Sequence, residues 1–195
     1  MTPSVGIFGG TFDPIHVGHL IAAEQAQDLL HLDRVLFVPA RVPPHKGAAS
    51  ASAEHRYRMT SLAVEDNPHF AVSDLELRRE GLSYTVETLR AIRANAPADA
   101  RHYLLLGADS ARDLEQWKDH EALLGDATVV VLERQGIGRA DLPPSVGRRA
   151  TFLSTPRLDI SSSEIRRLVR EGGTVRYLVP APVETYIRSE GLYRS

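Results

Sequence analysis

The chain reads as a Rossmann-like, doubly wound α/β sheet in a single domain, on three grounds. Short β-branched runs alternate with amphipathic stretches of helical spacing. Two of the runs, 101–106 (RHYLLL) and 128–132 (TVVVL), are apolar almost without a break, which is the pattern of strands covered on both faces in a parallel sheet. The first run ends in two glycines and is followed by a helix-forming stretch. In such folds ligands bind beyond the carboxyl ends of the strands, where the strand order reverses.

Taken along the chain, residues 4–8 (SVGIF) form the first strand and 34–38 (RVLFV) the second. Residues 70–77 alternate enough for a third, and 101–106, 128–132 and 151–154 complete the set. Between them, 17–30 place Leu20, Ile21, Ala23, Leu29 and Leu30 near one helical stripe, and 54–66 and 85–96 read as further helices. Two segments rich in Pro, Gly and Ser, 40–53 and 135–149, read as irregular loops. Ser161 with Glu164 three residues on is a capping box, so a late helix starts there. The whole chain, 1–195, is expected to be one domain whose C-terminal part, about 156–195, is helical.

Composition narrows the function. With 195 residues, 43% of them hydrophobic and 25% charged, the chain can bury a sizeable core and is not disordered. Lys plus Arg number 23 and Asp plus Glu 25, a net charge of −2, which argues against binding nucleic acid by bulk charge. Cysteine is absent, and with it go disulfides, thiolate metal sites and cysteine nucleophiles. No apolar run approaches a bilayer-spanning length and no secretory leader is visible, so a cytoplasmic protein without a membrane partner is expected. No feature specifies an oligomeric state, and an assembly of identical copies stays open.

The chemistry concentrates after the first strand, in Gly9-Gly10-Thr11-Phe12-Asp13-Pro14-Ile15-His16-Val17-Gly18-His19. Glycines at a strand end let backbone N–H groups approach a ligand. The helix start beside them adds unpaired N–H groups and partial positive charge, which suit a phosphate. His16 and His19, three residues apart, fall on one side of that helix start and can stabilise negative charge as it builds. The plainer alternative is a helix cap and a surface residue. A metal reading lacks a third ligand nearby.

This segment resembles the G-x-F-D-x-x-H-x-G-H signature of the H-x-G-H nucleotidyltransferase superfamily, matching at Gly10, Phe12, Asp13, His16, Gly18 and His19. Ile160-Ser161-Ser162-Ser163-Glu164-Ile165-Arg166 is similar to the second signature, I-S-S-T-x-I-R, with Ser163 in place of Thr. Over essentially the whole chain the sequence resembles the bacterial nicotinate-mononucleotide adenylyltransferase family. That resemblance implies adenylyl transfer from ATP to nicotinate mononucleotide, giving deamido-NAD and pyrophosphate, with Mg²⁺ carried mainly on the ATP phosphates.

Residue by residue, the resemblance implies catalytic roles for His16, His19, Lys46 and Arg166. It implies an ATP site of Gly9, Gly10, Thr11, Phe12, Gly18, Gly107, Asp109, Arg134, Ser161 and Ser162. The acceptor site it implies is His45 in P-P-H-K, Ser83, Tyr84 and Thr85 at a helix start, and Trp117 as a stacking platform. The stretch from Asp74 to Thr85 resembles D-x-E-x-x-R-x-G-x-S-Y-T, with Arg79 rather than Arg78 matching the motif's arginine. Ser83 or Thr85 would cap that helix, and Asp13 would either orient its loop or reach a metal shell. The alternatives are another transferase of the superfamily, such as a phosphopantetheine adenylyltransferase, or a nucleotide-binding sensor without catalysis.

Overall fold

The computed structural model describes residues 2–44, 49–133, 138–156 and 158–194. In this part of the chain the strands β1 (Ser4–Gly10), β2 (Arg34–Pro39), β3 (Phe70–Val72), β4 (Arg101–Gly107), β5 (Thr128–Glu133) and β6 (Thr151–Ser154) form one sheet. The order is β3-β2-β1-β4-β5-β6 and every pairing is parallel. This is the doubly wound order, with its reversal between β1 and β4.

The apolar runs explain the two helical layers. Val130 and Leu132 join one core with Phe8, Phe37 and Leu105, while Val129 and Val131 join another with Ile7, Leu104 and Leu106. Successive side chains of a strand point to opposite faces, so a strand buried on both sides must be apolar at every position. The first core is covered by α1 (Val17–Leu29), α2 (Ala53–Val64), α8 (Ser162–Arg170) and α9 (Ala181–Ser189). The second is covered by α4 (Thr85–Ala94), α5 (Ala108–Arg112), α6 (His120–Asp126) and α7 (Pro144–Arg149).

Two local expectations are corrected. The strand expected over 70–77 stops at Val72: the Leu75 N–H donates to Ser73 Oγ at 3.2 Å, and a single turn, α3 (Leu75–Arg78), follows. A hydroxyl that binds the backbone two residues on offers the chain a turn in place of the ladder. The loop expected over 135–149 contains a 3₁₀ turn (Arg139–Asp141) and α7. Pro144 opens that helix, where its missing N–H costs nothing. Arg139 lies over the Phe152 ring at 4.2 Å and donates to the Gly147 carbonyl at 2.7 Å, which holds the segment on the sheet.

One buried histidine ties this core to pH. His102 on β4 is only 8% exposed, and its Nε2 has no hydrogen-bond partner among the described residues. Burial, and then Arg93, hold its pKa below the ordinary value of 6.5. Below that ordinary value the unfolded chain takes a proton that the native chain resists, so stability is lost as pH falls. The midpoint of thermal unfolding is expected to drop between about pH 7 and 5, less steeply in His102→Phe than in the native chain. Equal slopes for the two proteins would reject this role.

Candidate active site

The reversal between β1 and β4 opens a cleft of 950 Å³ at the carboxyl ends of the strands. Gly9 is next to last in β1 and Gly107 ends the neighbouring β4, and a side chain at either would meet nothing within 4 Å. They leave ligand space. Gly10 and Gly18 serve packing instead. A Cβ at Gly10 would stand 2.8 Å from the Phe12 ring, and one at Gly18 would stand 3.1 Å from His16 Nδ1.

The H-x-G-H segment builds the floor. His16 is the N-cap of α1 and is 2% exposed. Its ring stacks on His19, with centroids 3.7 Å apart and planes inclined by 28°. The His16 N–H donates to His19 Nδ1 at 3.3 Å. An N–H needs an acceptor, so Nδ1 of His19 carries no proton and the neutral ring holds its proton on Nε2. Phe12 meets the His19 ring edge-on at 5.1 Å and fixes its plane. His19 is thus a donor set in one orientation at the edge of the cleft that it lines.

Asp13 is the hub under this floor, and its carboxylate ties this loop to distant segments. It is 4% exposed, its Oδ1 accepts from the Ala51 N–H at 3.1 Å and from the Tyr193 hydroxyl at 2.8 Å, and its Oδ2 accepts from the Ser50 N–H at 2.7 Å. Burial and the nearby Asp13 charge push the Tyr193 hydroxyl well above its usual pKa, so it stays a donor. Arg56, 1% exposed, donates to the carbonyls of Thr11 at 2.7 Å, Arg41 at 3.0 Å and Ala51 at 3.1 Å. One guanidinium thereby joins the loop after β1, the loop after β2 and the start of α2.

The second signature closes the other wall. Ser161 caps α8 by accepting from the Glu164 N–H at 3.1 Å. The reciprocal half of the expected capping box is not made, because the Glu164 carboxylate turns to Arg167 at 2.6 Å. Ser162 donates its hydroxyl to the Pro14 carbonyl at 2.9 Å, and Arg166 donates to the Asp13 carbonyl at 2.7 Å. These bonds place the N-terminus of α8 beside that of α1, so two helix starts face one space. Ser161 and Ser163 each accept a hydrogen bond, from Glu164 N–H and Arg166 respectively, and each keeps its hydroxyl proton for another acceptor.

A smaller cavity of 110 Å³ adjoins the cleft and shares Gly9, Gly10, Thr11, Ser110 and Trp117 with it. Ser83, Tyr84 and Thr85 line it at the start of α4. The expected caps are corrected here: Tyr84 is the N-cap, and its side chain caps nothing. Ser83 Oγ instead accepts from the Arg41 and Val42 N–H groups at 2.9 and 3.3 Å, which ties the β2 loop to the helix start. Lys118 lies over the Tyr84 ring at 4.4 Å and pairs with Glu87 at 2.7 Å.

Of the residues singled out from sequence, His16, His19, Arg166, Gly9, Gly10, Thr11, Phe12, Gly18, Gly107, Asp109, Ser161 and Ser162 line the cleft. Ser83, Tyr84 and Thr85 line the smaller cavity, and Trp117 lines both. His45, Lys46 and Arg134 lie outside the described residues. Sequence reasoning missed Arg56, Lys118 and the bond from Tyr193 to Asp13. Arg56 gave no signal, since an arginine in an amphipathic helix reads as solvent-facing. Glu76, which also lines the smaller cavity, was visible only as a letter of the D-x-E motif.

The cytidylyltransferase-like family matches residues 7–168. A Thermus thermophilus protein named "Probable nicotinate-nucleotide adenylyltransferase" is 52% identical over 190 residues, which cover 97% of this chain and 99% of its own. A Synechococcus protein of the same name is 46% identical, over 97% of this chain and 94% of its own. Among solved structures, a Plasmodium falciparum nicotinic acid mononucleotide adenylyltransferase complexed with NaAD matches with a TM-score of 0.81, covering 98% of this chain and 97% of its own. At 21% identity that is a likeness of fold. The motifs around the cleft and an identity sustained over nearly the whole length agree, and the chain belongs to the cytidylyltransferase-like family and, within it, to the nicotinate-nucleotide adenylyltransferases.

Proposed function

We propose that this enzyme transfers the adenylyl group of ATP to the 5′-phosphate of nicotinate mononucleotide, releasing pyrophosphate and deamido-NAD. The observation that carries this reading is the pair of joined cavities at the switch point. The larger is faced by two helix starts and the histidine pair, and the smaller is walled by Trp117 and the start of α4. Triphosphate fits the first, where helix N-termini favour anions. A pyridine ring fits the second, stacked on Trp117, with its carboxylate toward the Thr85 end of α4.

A phosphate monoester is already an anionic nucleophile, so in-line attack on the α-phosphorus needs no general base and no covalent intermediate. Positioning and charge stabilisation then supply the catalysis. His19 donates from Nε2 to the phosphates, His16 holds its plane, and Arg166 adds charge beside the α8 start. Asp109 accepts from a ribose hydroxyl, and the family resemblance gives Lys46 and Arg134 to the ATP phosphates and His45 to the acceptor. Mg²⁺ arriving on the nucleotide would neutralise charge on the leaving pyrophosphate. In this reading the reaction is cytoplasmic and involves neither nucleic acid nor a membrane.

The test is pyrophosphate release with ATP and Mg²⁺, run beside nicotinate mononucleotide, nicotinamide mononucleotide and phosphopantetheine. A helix start that binds the ring through N–H donors rejects the amide by at least about tenfold in kcat/KM. Equal use of both mononucleotides removes the role given to the α4 start. Activity with phosphopantetheine alone overturns the acceptor, and ATP binding without pyrophosphate from any acceptor leaves a sensor.

A further inference from the structure

The cavity given to the pyridine ring already contains a carboxylate of the protein, and an acidic ring would bring a second. Glu76 on α3 is 6% exposed and lines that cavity. Among the described residues it has no ion pair. The described cations around it are engaged elsewhere: Arg79 reaches Thr88 Oγ1 at 3.1 Å and Glu87 at 3.7 Å, and Lys118 is held by Glu87 at 2.7 Å. Arg56 from α2 is spent on backbone carbonyls, and Arg41 from the β2 loop donates to the Arg79 carbonyl at 3.0 Å. Burial pushes the Glu76 carboxyl above its usual range, while the Thr88 and Ser83 hydroxyls and then Arg79 and Arg56 pull it back.

The hydrogen bonding suits both charge states. Thr88 Oγ1 lies 2.6 Å from Glu76 Oε1 and 3.4 Å from the Tyr84 carbonyl. When Glu76 is ionised, Thr88 donates to it and accepts from Arg79. When Glu76 holds a proton, it donates to Thr88, whose own proton turns to the Tyr84 carbonyl. Tyr84 is the N-cap of α4, so the exchange takes place at the backbone where the ring carboxylate is seated. Two carboxylates in one small cavity cannot both stay ionised cheaply.

We propose that Glu76 takes up a proton from solvent when the acid form of the ring enters this cavity, so that binding of the acid is proton-linked and binding of the neutral amide is not. The inference rests on the acceptor pocket assigned above. Glu76 is then a specificity-determining residue, whose protonation sets the affinity for an anionic acceptor.

The experiment measures KM for nicotinate mononucleotide from about pH 5 to 9 in the native enzyme and in Glu76→Gln, which mimics the protonated state. The ligand phosphate titrates in this range too, but identically for both proteins, so it cancels in their ratio. The expected ratio of native to variant KM rises with pH, by up to about tenfold per unit where linkage is complete. With nicotinamide mononucleotide the ratio stays flat. A flat ratio for the acid, or the same rise for the amide, overturns the inference. Calorimetry of the native protein in two buffers of different ionisation enthalpy decides the matter if the variant fails to fold. Uptake of up to about one proton with the acid and none with the amide supports it, and no uptake overturns it. Native enzyme that turns over no pyridine mononucleotide at any pH refutes the proposed function. Turnover with a pH-independent ratio refutes only the role of Glu76, and no calorimetric binding of the acid refutes both.

Discussion

Replacing His19 with alanine is expected to lower kcat by about a hundred- to a thousandfold at saturating ATP and acceptor, the cost of removing one preorganised donor from a site of developing charge. The size of the effect follows from how the ring is held. Its Nδ1 accepts the His16 N–H at 3.3 Å, its face stacks on His16 at 3.7 Å, and Phe12 meets it edge-on at 5.1 Å. The proton on Nε2 is therefore already in place before the reaction, and no reorganisation is needed as charge builds. Steady-state pyrophosphate release checks this, with circular dichroism as a control for folding. His19→Gln, whose amide N–H can reach the Nε2 position, recovers part of the loss. Turnover within about threefold of native in His19→Ala would show that the donor is not needed.

The largest expected loss of stability comes from Arg56→Met. The guanidinium is 1% exposed and holds the carbonyls of Thr11, Arg41 and Ala51 at 2.7–3.1 Å. Methionine fills much of the volume but leaves those acceptors without their donor, and removes one of the cations near Asp13, with Arg166 remaining 3.9 Å from its Oδ2. Breaking a buried charged network of this kind costs about 3–5 kcal/mol, or roughly 10 °C in Tm for a chain of this length. Urea and thermal unfolding measure it. Arg56→Lys is expected to rescue little, because an ammonium cannot reach three carbonyls in three directions with the fork of a guanidinium. A loss under about 1 kcal/mol would mean that water replaces the guanidinium at the three loops.

The strands and the α1, α2 and α4 helices were legible because their signals are local. A run such as TVVVL needs no partner to declare a strand buried on both faces, and the helical stripe of 17–30 lies within one stretch of chain. The misreadings are local as well. Ser73 diverted the end of the third strand into a turn, and the prolines and glycines around α7 hid a helix that Arg139 secures from outside it.

The site divides along the same line. By itself the sequence determined the doubly wound sheet, the glycine-rich loop of Gly9 to His19 at its switch point and the second helix start at Ser161. In these, residues that act together are neighbours in the chain, so periodicity, capping and motif spacing reveal them. Only the tertiary structure decided that Asp13 bonds a tyrosine 180 residues away, that Arg56 bonds a carbonyl 45 residues back, and that Glu76 shares its cavity with a helix start and bonds a threonine 12 residues on. A buried charge is tolerable only where the fold brings it partners. Those partners come from distant segments, so the environment that turns an ordinary charged residue into part of this site exists only once the chain has folded.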